Sequence, residues 1–212
     1  MSQNSRRNGY GLPVEQGMYD PLNEHDACGF GFIADIHNEP RHEIVHQALE
    51  IVQHLDHRGA IGADPMAGDG AGILVQLPDA FIRKVFGKQG IEVPAKGDYA
   101  IGMVFLPRDH KLRDLAIKAV EKTTAEEGQI LLGWRDVPTD SNMLGETVKP
   151  NEPVIKQVLI QRGPDTPDNA AFERKLYVIR KQAHHALWDK DEGSWQDFYF
   201  PSMSSATIVY KG

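Results

Sequence analysis

Hydrophobic positions along the chain follow two spacings, one typical of amphipathic helices and one typical of buried strands. Helical spacing predicts a helix from Arg41 to Asp56, a short one from Asp79 to Phe86 capped by Asp79, one from His110 to Glu127, and a long one capped by Asp168. Apolar runs predict a strand that begins at Gly29 and others over 73–77, 99–106, 129–137, 154–161, 197–200 and 207–210. Helices and strands alternate without an internal repeat, so we expect a mixed α and β chain in layers.

The three longer predicted helices each carry an apolar face that we expect to be buried. The first face contains Val45, Ala48, Leu49, Val52 and Leu55, with Gly59 as a left-handed cap beyond the helix end. The second face contains Leu112, Leu115, Ala116, Ala119 and Val120. The third contains Phe172, Leu176, Ile179, Ala183 and Leu187.

Composition narrows the class of protein. The 212 residues are 41% hydrophobic and 25% charged, which is typical of a globular protein large enough for a substantial core. The net charge of −7 and the lack of a basic stripe argue against a nucleic-acid partner. No apolar run is long enough to predict a membrane span. Residues 1–23 are polar and rich in Asn, Gly and Pro, so they are expected to form a leader with little core.

The only cysteine, Cys28, is the residue whose chemistry matters most. One cysteine excludes an internal disulfide and fits a reducing compartment, so we expect a cytoplasmic protein. If the chain were cut before Cys28, one residue would carry a thiol nucleophile and an α-amino base of pKa about 7.7–8.0. The alternative from the residues alone is a buried cysteine that acts as a small hydrophobic side chain.

Two other motifs have weaker functional interpretations. His42-Glu43-Ile44-Val45-His46 matches the HExxH pattern of zinc proteases, but His46 lies well away from the predicted apolar stripe, which favours a solvated helix face. The glycine-rich run 68–72 precedes a strand and lacks the Lys-Ser/Thr ending of a phosphate-binding loop. It is more typical of a tight turn in which glycine permits close backbone approach.

Taken together, several motifs resemble the start of the large subunit of glutamate synthases. They are Tyr19-Asp20-Pro21, Glu24-His25-Asp26-Ala27-Cys28-Gly29-Phe30-Gly31-Phe32, His57-Arg58-Gly59-Ala60, and Gly68-Asp69-Gly70-Ala71-Gly72-Ile73. The segment 172–177 and the closing segment 204–212 are similar to that family too. The resemblance covers nearly the whole chain from about Tyr19, and the joint order of the motifs is highly specific.

The resemblance implies a class II glutamine amidotransferase domain of the N-terminal-nucleophile hydrolase fold, an α+β, four-layer αββα sandwich. Residues 1–27 would form a leader that is cut between Ala27 and Cys28, and residues 28–212 the N-terminal part of the domain. Cys28 would be the catalytic nucleophile that releases ammonia from glutamine through a glutamyl thioester. Arg58 and Gly59 would bind the substrate or orient the nucleophile, with a structural Arg58 paired to a carboxylate as the alternative.

The resemblance also implies which cofactors and partners serve the full-length protein. This chain would bind no cofactor and no metal. FMN and an iron–sulfur cluster would belong to absent domains that aminate 2-oxoglutarate, with NADPH, NADH or ferredoxin as the electron source. Glutamine would be the substrate here, and a small subunit or an electron-donor protein a possible partner; neither nucleic acid nor a membrane is expected.

Some elements of the expected chemistry are not found in the sequence. The family's Asn-Gly oxyanion pair and the Arg and Asp that hold the glutamine α-groups would lie beyond residue 212. Ala206 stands where the family often has Arg, which leaves no role for that position. Two alternatives stay open: another class II amidotransferase, and a catalytically incomplete fragment with an interaction or structural role.

Overall fold

The computed structural model describes residues 17–18, 29–55, 70–188 and 195–211. Within these residues the helices are α1 (His42–His54), α2 (Asp79–Gly87), α3 (His110–Glu126) and α4 (Asn169–Trp188). The strands are β1 (Gly72–Gln76), β2 (Tyr99–Leu106), β3 (Ile130–Asp136), β4 (Val154–Gln161), β5 (Tyr199–Ser204) and β6 (Thr207–Lys211). Two single-turn 3-10 helices, Ser141–Met143 and Lys149–Asn151, lie between β3 and β4.

The central feature of the fold is a four-stranded antiparallel sheet in the order β3-β4-β2-β5. Strands β2 and β4 pair along their full length, from Tyr99 opposite Gln161 to Leu106 opposite Val154. Every residue of β2 is buried, because layers cover both faces of the sheet. This burial on both faces explains why β2 is a continuous apolar run rather than an alternating one.

Helices α3 and α4 cover one face of this sheet. Asp109 caps α3 by accepting hydrogen bonds from the N–H groups of Lys111 and Leu112, at 2.8 and 3.0 Å. Asp168 caps α4 by accepting from the N–H of Ala171 at 2.7 Å. The five apolar positions expected on the inner face of α4 are all buried against the sheet.

Helix α2 and the two-stranded sheet of β1 and β6 cover the opposite face. Ile82 and Phe86 of α2 and Ile208 of β6 are buried together with Ile101 and Met103 of β2. Helix α1 packs beside β1. The layers of helices and antiparallel sheets form an α+β sandwich, as the sequence predicted.

A polar network connects α2 to β2 on the face of the four-stranded sheet that α2 covers. Asp79 accepts hydrogen bonds from the Tyr99 hydroxyl at 2.8 Å and from Arg83 Nε at 2.9 Å. Arg83 also donates through Nη1 to the carbonyl of Val93 at 2.6 Å. The hydrogen bond from Arg83 lowers the pKa of Asp79. The pKa of Tyr99 is raised, chiefly by burial and secondly by its hydrogen bond to Asp79.

Several predicted features are wrong in detail. The run from Gly29 forms no strand among the described residues, because none of the described strands pairs with it. Its side chains Phe30, Phe32 and Ile36 are 83%, 80% and 92% exposed. Asp79 is the first residue of α2 rather than its cap, which is Pro78.

Other differences concern the ends and faces of elements. Helix α1 ends at His54, two residues before the predicted end, and none of its residues is fully buried. Leu115 is 49% exposed because the buried face of α3 runs through Ala116, Val120 and Thr123 instead. Strand β5 spans Tyr199–Ser204, so it begins and ends later than the predicted 197–200.

Candidate active site

The three residues to which the sequence assigns the reaction lie outside the described residues. Cys28 immediately precedes the described range 29–55, and Arg58 and Gly59 lie between that range and the next one. The described segments nearest to them in sequence are residues 29–55, which follow Cys28 and precede Arg58, and the segment that begins at Gly70.

The segment that follows Cys28 packs against helix α1. A Cβ atom on Gly31 would lie 2.5 Å from Cγ2 of Ile51, so the absence of a side chain permits this approach. Further along, the Asp35 carboxylate accepts a hydrogen bond from the N–H of His37 at 2.8 Å and forms an ion pair with Arg41, the cap residue of α1. The segment is therefore attached to α1 at two points.

Glycines also shape the start of β1. Gly70 has φ of +86°, a backbone conformation that residues with a side chain rarely adopt. A Cβ atom on Gly72 would lie 2.8 Å from the carbonyl oxygen of Tyr210, so β6 approaches the backbone of β1 closely at this point. The chain thus enters β1 through positions that require glycine for its conformation and for its small size.

An apolar cleft of about 330 Å³ lies between α1, the small sheet and the four-stranded sheet. Val52 near the end of α1 and Gly72 at the start of β1 both line it, so the cleft is bordered by the described segments on either side of residues 56–69. Its other walls include Leu49, Ile73, Met103 and Ile155, and β6 contributes Tyr210 and Lys211. Through Val52 and Gly72 this cleft lies close in sequence to the predicted site residues.

A buried polar contact that the sequence does not predict involves Tyr210. Gln157 is fully buried; its Nε2 donates to the Tyr210 hydroxyl at 3.4 Å and its Oε1 accepts from Nη1 of Arg135 at 2.6 Å. The Arg135 guanidinium also lies 5.5 Å from the centre of the Phe81 ring. Arg135, Gln157 and Tyr210 lie in three different strands that are far apart in sequence, so no local signal identifies their contact.

The HExxH motif lies on an exposed part of α1. His42, Glu43 and His46 are all exposed, which confirms the solvated helix face. The rings of His42 and His46 contact one another edge to face, with centroids 4.6 Å apart. In the part of the chain that the structure describes, no three His, Cys, Asp or Glu side chains come together as a possible metal site.

The chain matches one family model and is similar to several longer proteins. Residues 28–212 match the family model described as "Glutamine amidotransferases class-II". The chain is 47% identical over 201 residues to the glutamate synthase (NADPH) large chain of Bacillus subtilis, which covers 95% of this chain and 13% of that protein. It is 39% identical over 206 residues to the glutamate synthase (NADH) of Schizosaccharomyces pombe, covering 95% of this chain and 10% of the relative.

A plant relative shows the same pattern. The chain is 38% identical over 194 residues to the ferredoxin-dependent glutamate synthase 2, chloroplastic, of Arabidopsis thaliana, covering 91% of this chain and 12% of that protein. The chain therefore spans roughly an eighth or less of the length of these relatives. Among the described helices, none combines the length and apolar character needed to cross a membrane.

Proposed function

The chain belongs to the class-II glutamine amidotransferases, and from that premise we propose that it supplies the glutamine-hydrolysing activity of a glutamate synthase. The observation that carries the proposal is that the family match begins at residue 28, which is the only cysteine of the chain. The similarity to glutamate synthases supports this enzyme, rather than another class II amidotransferase, as the user of the ammonia. In this proposal residues 1–27 are a leader, and residues 28–212 are the N-terminal part of the domain.

The proposed reaction proceeds through a thioester on Cys28. The free α-amino group of Cys28 takes the thiol proton, and the sulfur attacks the carbon of the glutamine side-chain amide. The tetrahedral intermediate collapses with cleavage of the C–N bond, and the α-ammonium returns its proton to the leaving nitrogen, which departs as ammonia. Water, deprotonated by the same amino group, then hydrolyses the thioester to glutamate and restores the thiol.

Arg58 and Gly59 are proposed to prepare the nucleophile. A guanidinium close to a thiol favours the thiolate and so lowers its pKa. The packing of Gly31 against Ile51 supports this pairing. Cys28 is three residues before Gly31 in sequence, and Arg58 is three residues after Leu55, the last described residue of the range 29–55. The described chain that leads to each of them therefore packs against or forms helix α1.

The fate of the ammonia is proposed from the relatives. In the full-length protein it would aminate 2-oxoglutarate, a reductive step for which FMN and an iron–sulfur cluster would be needed. The cluster does not fit this chain, since cysteine thiolates hold such clusters and the chain has one cysteine. The relatives are named for NADPH, NADH or ferredoxin, so the electron donor, or a small subunit that supplies electrons, is a proposed partner.

Labelling with an electrophilic glutamine analogue tests the proposed nucleophile. We expect the analogue to add once to the mature full-length protein, on the peptide that begins with Cys28, and we expect excess glutamine to protect against labelling. Cys28→Ala should take up no label, whereas the exposed-surface variant Arg174→Gln should be labelled like the wild type. Labelling of Cys28→Ala at the wild-type rate, or no labelling of the wild type, would contradict the proposal.

A further inference from the structure

A second cleft, of about 270 Å³, lies where β3 ends and β4 begins, beside the loop that joins them. It adjoins the apolar cleft, with which it shares Val137, Thr139 and Ile155, but its character is polar. Arg108, Ser141 and Glu152 line it. Neither Arg108 nor Glu152 belongs to the residues that the resemblance assigns to the glutaminase reaction.

Arg108 lines this cleft and carries donors that have no acceptor among the described residues. Its Nη1 donates to the carbonyl oxygens of Lys149 and Pro150, at 2.7 and 2.8 Å. A guanidinium carries five N–H donors, and among the described residues neither Nε nor Nη2 of Arg108 has an acceptor, nor does the side chain form an ion pair. The Nε and Nη2 edge is the pair of donors that binds a carboxylate with two parallel hydrogen bonds.

Glu152 supplies the opposite charge in the same cleft. Both of its carboxylate oxygens accept from the Ser141 hydroxyl, each at 2.8 Å, which fixes the orientation of the carboxylate. Within the described chain Glu152 has no cationic partner, whereas its neighbour in the cleft, Asp136, is paired with Lys156 at 2.5 Å. As far as the described residues show, Arg108 and Glu152 are therefore a cation and an anion without ion-pair partners that line one cavity.

The loop that carries Glu152 is held in place by its own contacts. Asp140 caps the first 3-10 helix by accepting from the N–H of Asn142 at 3.0 Å, and Lys149 is paired with Glu146 at 2.8 Å. The contacts of Arg108 with two carbonyl oxygens attach the second 3-10 helix to the end of β2. A site that is formed before its ligand arrives loses less conformational freedom on binding.

From these observations we propose that the cleft binds a free α-amino acid through its zwitterionic head group, with the carboxylate on the Nε and Nη2 edge of Arg108 and the ammonium on Glu152. A ligand with a single charge would leave one of the two groups unpaired. The volume lies just below the range of about 300–1,000 Å³ typical of larger ligands, which suits a small molecule. The inference does not depend on the reaction proposed for Cys28.

Calorimetric titration of the purified full-length protein with L-alanine, propionate and ethylamine at one ionic strength tests the site. L-Alanine presents both charges without a side-chain amide, and the other two probes each present one charge. We expect saturable binding of L-alanine and binding of propionate and ethylamine that is weaker by about tenfold or more, as loss of a charged hydrogen bond predicts. Cys28→Ala should bind L-alanine like the wild type, which separates this test from the proposed reaction.

Two substitutions and two controls locate the binding. Glu152→Gln keeps an acceptor for Ser141 but removes the charge, and Arg108→Gln removes the guanidinium; each should weaken L-alanine binding by about tenfold or more. Glu92→Gln and Arg174→Gln remove the same charges from exposed positions outside the cleft and should leave binding unchanged. Absence of saturable L-alanine binding, equal binding of a single-charge probe, or wild-type binding by Glu152→Gln would overturn the proposal.

Discussion

The carboxylate of Glu173 accepts two hydrogen bonds from Ser205, one from its backbone N–H at 2.7 Å and one from its hydroxyl at 2.6 Å. The same oxygen accepts from the Ser204 hydroxyl at 3.1 Å. Helix α4 thereby holds the turn that joins β5 in the large sheet to β6 in the small one. Both ends of this contact lie in segments through which the chain resembles glutamate synthases, so a structural relationship connects two motifs that are distant in sequence.

We expect Glu173→Gln to destabilise the protein by about 1–2 kcal/mol. The amide oxygen still accepts, but hydrogen bonds to a charged group contribute about 1.5–3 kcal/mol against about 0.5–1.5 kcal/mol for neutral ones. The free energy of unfolding in urea measures the difference. Glu92→Gln, at an exposed position, is the matched control and should change stability by less than about 0.5 kcal/mol. Equal urea midpoints for the two variants would contradict the role given to Glu173.

Gly102 in the middle of β2 should not tolerate a side chain. A Cβ atom there would lie 2.7 Å from Cγ1 of Val158 and 2.9 Å from Cε of Met203. We expect Gly102→Ala to lower the thermal midpoint by an amount equivalent to about 1–3 kcal/mol. Gly87→Ala introduces the same methyl group where nothing lies within 4 Å, and it should be neutral or stabilising by up to about 1 kcal/mol. Similar midpoints for both variants would show that β2 is not packed as described.

The loss of folding stability at acid pH should depend on Asp79. Because the hydrogen bond from Arg83 lowers the pKa of Asp79 in the folded state, the ionised carboxylate stabilises the protein above its unfolded pKa of about 3.9. That contribution is lost as the pH falls through the lowered folded pKa. We expect Asp79→Asn to be less stable than the wild type at pH 7, with the difference shrinking below about pH 4. A difference that stays constant from pH 7 to pH 2 would contradict this assignment.

The sequence predicted most accurately the elements in which the positions of apolar residues follow directly from burial. Strands β2 and β4 have the predicted bounds. In β2, burial on both faces produces an uninterrupted apolar run with clear ends. The inner face of α4 was also correct, since five apolar side chains at helical spacing define one side. The prediction of a strand after Gly29 was wrong. A strand also needs a partner with which to pair, and local composition carries no information about that partner.

The contacts that sequence could not predict are those between distant polar residues. Asp79 looked like a helix cap, but Tyr99 and Arg83 hold its carboxylate. Arg108 and Glu152 line one cleft only because β2 and β3 end, and β4 begins, beside it. The hypothesis that Cys28 is the nucleophile came from the motif around it. Cys28 itself lies outside the described residues.

Arg58 provides a test of how the nucleophile is activated. If its guanidinium lies near the Cys28 thiol, Arg58→Gln should raise the thiol pKa and shift the pH midpoint of alkylation to a higher value. Arg174→Gln removes an exposed arginine and should leave the midpoint unchanged. The rate of iodoacetamide addition to the mature protein, measured between pH 5 and 9, gives both midpoints. An unchanged midpoint in Arg58→Gln would assign Arg58 a structural role instead.

Replacing the nucleophile should separate the two halves of the overall reaction. We expect Cys28→Ala to abolish glutamine-dependent glutamate synthesis in the full-length protein, since the thioester cannot form. Synthesis from added ammonia should survive, because it bypasses the hydrolysis of glutamine. Steady-state rates with each nitrogen source measure the split. Equal loss of both activities would contradict the assignment of glutamine hydrolysis to this part of the protein.

The most direct test of the account is the N-terminal residue of the form that hydrolyses glutamine. Intact-mass measurement on active full-length protein, followed by sequencing of its first peptide, identifies that residue. The account predicts that active molecules begin at Cys28, and that molecules retaining residues 1–27 hydrolyse no glutamine. A form that still begins with Met1 and hydrolyses glutamine as fast as the trimmed form would contradict it.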